Sequence, residues 1–199
     1  MLVTLIDSPV ANTANIARAL RAVGAELQVT RDRAIIAAAD KLVLPGVGSF
    51  VAARSWLAEH GIDEAIDAAV AGGAALLGIC VGHQLLFDVS YEMGTTRGLG
   101  LVRGAVERFG GTLPVPQIGW NRVAFEAHPL FAGVAPSTSF YFVNSYAGRT
   151  SAHEIASAAY DGAFTAAVQN GRVLGVQFHP EKSSTAGLRV LRNYVELQP

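Results

Sequence analysis

The only cysteine of this 199-residue chain lies in a segment that could present a nucleophile. Cys80 stands between Gly78 and Gly82, after the apolar residues 74–79. This pattern is typical of a strand that turns sharply into a helix, because glycines let the backbone close tightly around the residue between them. Free N–H groups and the dipole at a helix N-terminus favour a thiolate. The alternative is a buried, inert thiol, the usual state of cysteine in an apolar run.

A second segment supplies the groups that would activate such a thiol. An apolar run near the carboxyl end of the chain leads into His179, Pro180 and Glu181. Proline biases the residue before it towards extended backbone, and residues two apart in an extended chain point to the same side. The carboxylate of Glu181 can therefore accept a hydrogen bond from the imidazole of His179. A thiol, an imidazole and an orienting acid form a nucleophilic triad, so the sequence predicts that these groups act together with Cys80.

Several motifs resemble those of the class I glutamine amidotransferases. Residues 78–84 resemble the nucleophile motif of that family, residues 179–181 its histidine–glutamate motif, and residues 45–48 the loop after its oxyanion strand. Segments 116–121 and 140–146 resemble one group within the family, the glutaminase subunits of imidazole glycerol phosphate synthase. The resemblance runs over nearly the whole chain.

The resemblance implies a reaction and roles for individual residues. Cys80 would attack the side-chain carboxamide of L-glutamine, and His179 would transfer the protons until water hydrolyses the thioester to glutamate. The backbone N–H groups of Val47 and Val81 would stabilise the oxyanion, although the loop around Val47 could also be an ordinary tight turn. The residues expected to hold glutamine are Gly48, Gln84, Ser145 and Tyr146.

The resemblance also implies a partner. Ammonia would pass to a cyclase subunit with a TIM-barrel fold, in a cytoplasmic heterodimer of histidine biosynthesis, and no cofactor or metal is expected. The residues expected to face the cyclase are Asn12, Asn15, Trp120, Asn121 and Lys182. Four of them have a simpler alternative: Trp120 could be part of the core, Asn12 and Asn15 could begin a helix, and Lys182 could be solvated.

Some positions depart from the resembled group. Asn144 stands where a histidine is usual, and Pro9 and Ala11 stand where glycines are usual, all in segments expected to meet the partner. His83 stands where methionine is usual, whereas glutaminases of other pathways have histidine there. Two other functions therefore stay open. They are the glutaminase subunit of another synthase (anthranilate or aminodeoxychorismate) and a free-standing cysteine hydrolase.

Composition excludes other classes of protein. Hydrophobic residues make up 51% of the chain, charged residues 16%, and the net charge is −1, without the basic stripe of a nucleic-acid-binding protein. Residues 68–87 carry no charge, but Gly72 and Gly73 interrupt them, so no membrane span is expected. A single cysteine excludes an intramolecular disulfide and fits a reducing compartment.

Alternating strand and helix patterns in the first half predict an α/β fold. The expected arrangement is flavodoxin-like, a mainly parallel central sheet flanked by helices. The second half is β-rich and looks antiparallel, with a hairpin signal at Asn170–Gly171. We expect one domain over residues 1–199. The elements predicted in the first half are strands 2–7, 26–30, 41–44 and 74–79, and helices within 12–23, 33–39 and 52–71.

Overall fold

Fourteen strands and six α-helices build the structure, a computed structural model that describes residues 1–9, 11–149 and 152–197. The strands are β1 (Leu2–Ile6), β2 (Glu26–Thr30), β3 (Lys41–Gly46), β4 (Ala75–Cys80), β5 (Phe87–Ser90), β6 (Thr96–Arg97), β7 (Val102–Arg108), β8 (Gln117–Arg122), β9 (Ala124–Phe125), β10 (Ser139–Asn144), β11 (Tyr146–Arg149), β12 (Glu154–Ala159), β13 (Ala163–Asn170) and β14 (Val173–Val176). The helices are α1 (Thr13–Ala22), α2 (Arg33–Ala37), α3 (Phe50–Glu59), α4 (Ile62–Ala71), α5 (Val81–Leu85) and α6 (Ser184–Glu196).

The central sheet is mixed and has eight strands in the order β2-β1-β3-β4-β14-β13-β12-β9. Its first five strands are parallel, and the last three continue it in antiparallel fashion. Two smaller sheets, β10-β8 and β11-β7-β5-β6, come from the second half of the chain. The predicted α/β fold, with a parallel first half and a mainly antiparallel second half, is confirmed.

Continuous apolar sequence accounts for the centre of this sheet. Every residue of β3 and β4 is buried, as expected for parallel strands covered on both faces. The helices pack in two groups, α1 with α6, and α2 and α3 with α4. Helix α1 begins at the predicted place, where the side chain of Asn12 accepts a hydrogen bond from the N–H of Asn15, and it ends before Gly24 at φ 93°.

The one charged residue inside β3 ties the sheet to the last helix. The Lys41 ammonium is almost fully buried and donates hydrogen bonds to the carbonyl oxygens of Tyr194, Val195 and Leu197, at 2.7–3.0 Å. Burial, and then the charge of Arg172, lower the pKa of Lys41. Because these carbonyls lie at the end of α6, their free acceptors are satisfied and the helix is fixed against the start of β3.

None of the helices in the described part of the chain has the length and apolar character needed to cross a membrane.

Candidate active site

The predicted functional residues meet at the carboxyl ends of the parallel strands. In the register of the sheet, Gly46 at the end of β3 lies opposite Cys80 at the end of β4. On the other side of β4, Val176 lies opposite Ile79, so the segment that continues to His179 runs beside the cysteine. This edge of a parallel sheet is where α/β proteins place their sites.

Cys80 sits in a strained turn between β4 and α5. Its φ of 55° and ψ of −109° are values that residues other than glycine rarely adopt, at a cost of about 1–3 kcal/mol. The turn is as tight as the sequence predicts. A Cβ on Gly78 would lie 2.5 Å from the carbonyl oxygen of Gly82, and a Cβ on Gly82 would overlap the carbonyl oxygen of Leu44.

We expect Gly82→Ala to lower the free energy of unfolding by about 1–3 kcal/mol, because the added methyl group must displace the buried backbone of Leu44. Gly110→Ala is the matched control, since a Cβ there meets no atom within 4 Å, and it should stay within about 0.5 kcal/mol of wild type. Urea unfolding of the two variants measures the difference. Equal stabilities would show that the turn has room for a side chain.

His179 is held between a carboxylate and the cysteine. Its Nδ1 lies 2.9 Å from Oε1 of Glu181, and the two side chains are 5% and 1% exposed. Burial by itself lowers the pKa of His179. The charge of Cys80 and a hydrogen bond to it, together with the contacts to Glu181, outweigh burial and raise that pKa to about 10. The imidazolium is therefore the favoured form beside a Cys80 thiolate.

A pocket of about 480 Å³ opens above Cys80 and His179. Its walls come from the loop after β3, the start of α5, and the segment that joins β10 to β11. The predicted residues that line it are Asn12, Val47, Gly48, Cys80, Val81, Gln84, Ser145, Tyr146, His179 and Lys182. Glu181 lies behind His179, away from this space.

Three residues expected to face a partner do not line the pocket. Trp120 is 56% exposed, so the alternative of a core tryptophan is wrong; its ring lies edge-on to Tyr141. The side chain of Asn121 donates to the carbonyl of Ala159 at 2.9 Å. Asn15 accepts a hydrogen bond from Arg18 at 3.1 Å on the surface of α1.

The structure adds residues that the sequence analysis did not select. Glu92 lines the pocket, and its Oε2 accepts a hydrogen bond from the N–H of Phe50 at 2.6 Å. Gln177 is fully buried beside Cys80. Period-two spacing could have suggested Gln177, which stands two residues before His179, whereas no sequence pattern places Glu92 in the pocket.

His83 does not compete with His179 for the thiol. It is fully buried, lies edge-on to Phe87 with ring centroids 5.2 Å apart, and is absent from the pocket lining. Burial lowers its pKa to about 3, so it is neutral at physiological pH. Among the described residues, no group of three or more histidine, cysteine, aspartate or glutamate side chains could hold a metal ion.

Comparison with known proteins defines the class to which this fold and site belong. The model of the family described as glutamine amidotransferase class-I matches residues 4–197. The chain belongs to that family. A crystal structure described as a glutamine amidotransferase has the same fold, with a TM-score of 0.77 at 22% identity over 97% of both chains.

More similar sequences carry a more particular name. A protein of Symbiobacterium thermophilum called imidazole glycerol phosphate synthase subunit HisH is 46% identical, over 96% of this chain and 92% of its own. A protein of the same name from Caulobacter vibrioides is 42% identical over 99% of both chains. One from Vibrio cholerae is 42% identical over 98% of both.

Proposed function

We propose that the protein is the glutaminase subunit of an imidazole glycerol phosphate synthase, active in histidine biosynthesis. One domain over residues 1–199 would hydrolyse L-glutamine to glutamate and ammonia. The observation that carries the proposal is that Cys80 and His179 line the same pocket while Glu181 lies 2.9 Å from Nδ1 of His179. Full-length identity of 42–46% to proteins named HisH supports the particular synthase.

The groups of the site suit the first step. The Cys80 sulfur attacks the carboxamide carbon of glutamine, and the C=O electron pair moves to oxygen to form a tetrahedral oxyanion. Protonated His179 donates its proton to the amide nitrogen as the C–N bond breaks, so that ammonia leaves and a thioester remains.

In the second step His179 acts as a base instead of an acid. Neutral His179 removes a proton from water, the resulting hydroxide attacks the thioester, and the C–S bond breaks to release glutamate. Glu181 keeps Nδ1 of the imidazole engaged throughout, so the other ring nitrogen faces the sulfur. The backbone N–H groups of Val47 and Val81 are the proposed oxyanion donors, and both residues line the pocket.

Polar groups on the pocket wall suit the amino-acid end of glutamine. Glu92 offers a carboxylate for the α-ammonium group, since only its Oε2 is hydrogen-bonded to Phe50. The residues proposed to hold the rest of the substrate are Gly48, Gln84, Ser145 and Tyr146.

An exposed apolar surface next to the pocket supports a partner that receives the ammonia. On β8, Ile118 is 65% exposed and Trp120 is 56% exposed. The ring of Tyr141 lies beside Trp120, and the ammonium of Lys182, which lines the pocket, lies 5.7 Å from that ring. Large exposed side chains that rim a site are typical of protein interfaces. We propose that a TIM-barrel cyclase subunit binds here, with Asn12, Asn15 and Asn121 at its margin.

The test of this function is glutamine hydrolysis by the purified chain alone and with a cyclase subunit that carries its nucleotide ligand. We expect low activity alone and a rise of about 10²–10³-fold with the liganded partner, the factor that one oxyanion donor typically provides. An anthranilate or aminodeoxychorismate synthase component is the control and should give no rise. Full activity without any partner would favour a free-standing hydrolase, and stimulation by the control would favour the other synthases.

A further inference from the structure

Gln177 is a buried polar residue for which the proposed reaction has no role so far. It follows β14 directly, and its N–H donates to the carbonyl of Ala166 on β13. Because Val176 lies opposite Ile79, the next residues along the two strands, Gln177 and Cys80, are lateral neighbours. The Gln177 side chain is fully buried, and a buried amide that formed no hydrogen bonds would cost stability.

The orientation of the Gln177 amide follows from a chain of hydrogen bonds. Nε2 of Gln84 lies 2.8 Å from the backbone carbonyl oxygen of Tyr146, which can only accept, so the NH2 group of Gln84 must face that way. The same Nε2 lies 3.0 Å from Oε1 of Gln177. An acceptor must face that second N–H, so the NH2 group of Gln177 points in the other direction, where its Nε2 lies 3.9 Å from Sγ of Cys80.

The other neutral group near the sulfur has the opposite preference. The carbonyl oxygen of Val143 also lies 3.9 Å from Sγ, and it can accept a hydrogen bond only from the protonated thiol. An amide N–H favours the thiolate, and a carbonyl oxygen favours the thiol. Gln177 therefore favours the thiolate form of Cys80 and offsets the preference of the Val143 carbonyl for the thiol.

We propose that Gln177 is a positioning residue that donates an N–H to the Cys80 sulfur and couples it to Gln84. The inference rests on the proposed function and deepens it. The hydrogen bond stabilises the thiolate before attack and again when the C–S bond of the thioester breaks and the sulfur takes up the electron pair. Through its Oε1 the same amide holds Gln84, so the nucleophile and the glutamine pocket share one fixed hydrogen-bonded element.

The test measures how the alkylation rate of Cys80 by iodoacetamide depends on pH in the full chain. Cys80 is the only cysteine, so the reaction reports one sulfur. The charged or titratable groups facing it are His179, with Glu181 behind it, and Glu92, Tyr146 and Lys182 on the pocket wall. The pH midpoint of alkylation therefore reports all of these interacting groups, and the effect of Gln177 is the difference in midpoint between variant and wild type.

We expect Gln177→Met to raise the pH midpoint of alkylation by about one unit, as for loss of one hydrogen bond to a charged group. At any pH below the midpoint the alkylation rate should then fall about tenfold. Gln177→Glu keeps an acceptor for Gln84 but turns a negative oxygen towards the sulfur. Its midpoint should rise further. The kcat for glutamine should fall in both variants, and further in Gln177→Glu than in Gln177→Met.

Gln169→Glu is the matched control. It introduces the same negative charge as Gln177→Glu, but on the adjacent strand β13. The Gln169 side chain contacts His128 and the carbonyl of Gly171 and does not reach the pocket. The alkylation midpoint of this variant should equal that of wild type. A wild-type midpoint in folded Gln177→Met and Gln177→Glu, or an equal rise in the control, would overturn the inference. Shifted midpoints in a chain that never hydrolyses glutamine would overturn the proposed function and leave the hydrogen bond established.

Discussion

Replacement of Cys80 by alanine or serine is expected to lower glutamine hydrolysis by about 10⁴- to 10⁶-fold, the range seen when a nucleophile or its partner is removed from a triad. Alanine has no nucleophile. Serine supplies a hydroxyl whose proton is far harder to remove than that of a thiol. Both side chains are small enough for the buried turn, which already accepts a Cβ at φ 55°. Steady-state glutaminase assays with the liganded partner give the loss.

The control for Cys80→Ala is ammonia itself. If the chain only supplies ammonia, the complex with the cyclase subunit should still form product from added ammonium salts at the wild-type rate. Thermal unfolding should remain cooperative, because alanine fits the buried turn and Glu181 still holds Nδ1 of His179 at 2.9 Å. The contacts of the sulfur with the neutral groups of Val143 and Gln177 are long, at 3.9 Å. Retained glutaminase activity in the alanine variant would refute the triad. Loss of the ammonia-dependent reaction would mean that this subunit takes part in the second reaction as well.

The local parts of the site could be predicted from sequence because they depend on short spacings. His179 and Glu181 are two residues apart, and the glycines on either side of Cys80 act within a single turn. The meeting of Cys80 with His179 is different, because it requires that β14, which enters the sheet almost a hundred residues after β4, lies next to it. The residue types predicted that these groups act together, but the order of the strands that brings them together is not encoded in any single segment.

Strand β8 shows an alternation that burial alone would not select, although Trp120 is expected on the surface. Gln117 is 3% exposed, whereas Ile118 is 65% and Trp120 is 56% exposed. A polar residue faces inward and apolar residues face outward, the reverse of what burial alone would select. Such an inversion is expected where a second protein covers the strand, because the apolar face then becomes buried in the complex.

The end of β3 also differs from the sequence prediction, which stopped at Leu44. The strand continues through Pro45 and Gly46, because here it pairs with β4 while its pairing with β1 ends at Val43. A proline lacks the N–H that a ladder needs, so it is tolerated where one neighbouring strand has already ended. The extension carries the backbone past Cys80 and places the following loop, with Val47 and Gly48, on the pocket wall.

Replacement of Gly48 by valine is expected to reduce partner-stimulated glutaminase activity much more than basal activity. Gly48 has φ 83°, a conformation that a β-branched residue adopts only at considerable cost, and a Cβ there would meet no atom within 4 Å. The change therefore acts through the backbone and not through a clash. If the partner stimulates the enzyme by turning the N–H of Val47 towards the oxyanion, it must favour one of two loop conformations that glycine keeps close in energy. Valine removes that freedom, so we expect most of the stimulation of about 10²–10³-fold to be lost.

Gly73→Val separates loop switching from general strain. Gly73 has φ 94° and equally open space, but it lies in the turn before β4, away from the pocket. Both variants should lose stability by a similar amount, about 1–2 kcal/mol for a side chain at positive φ. Only Gly48→Val should lower the ratio of stimulated to basal kcat. The KM for glutamine checks that the pocket still binds the substrate. Equal ratios in the two variants would mean that the loop is fixed in its active conformation before the partner binds, and the low basal activity would then need a cause outside the oxyanion loop.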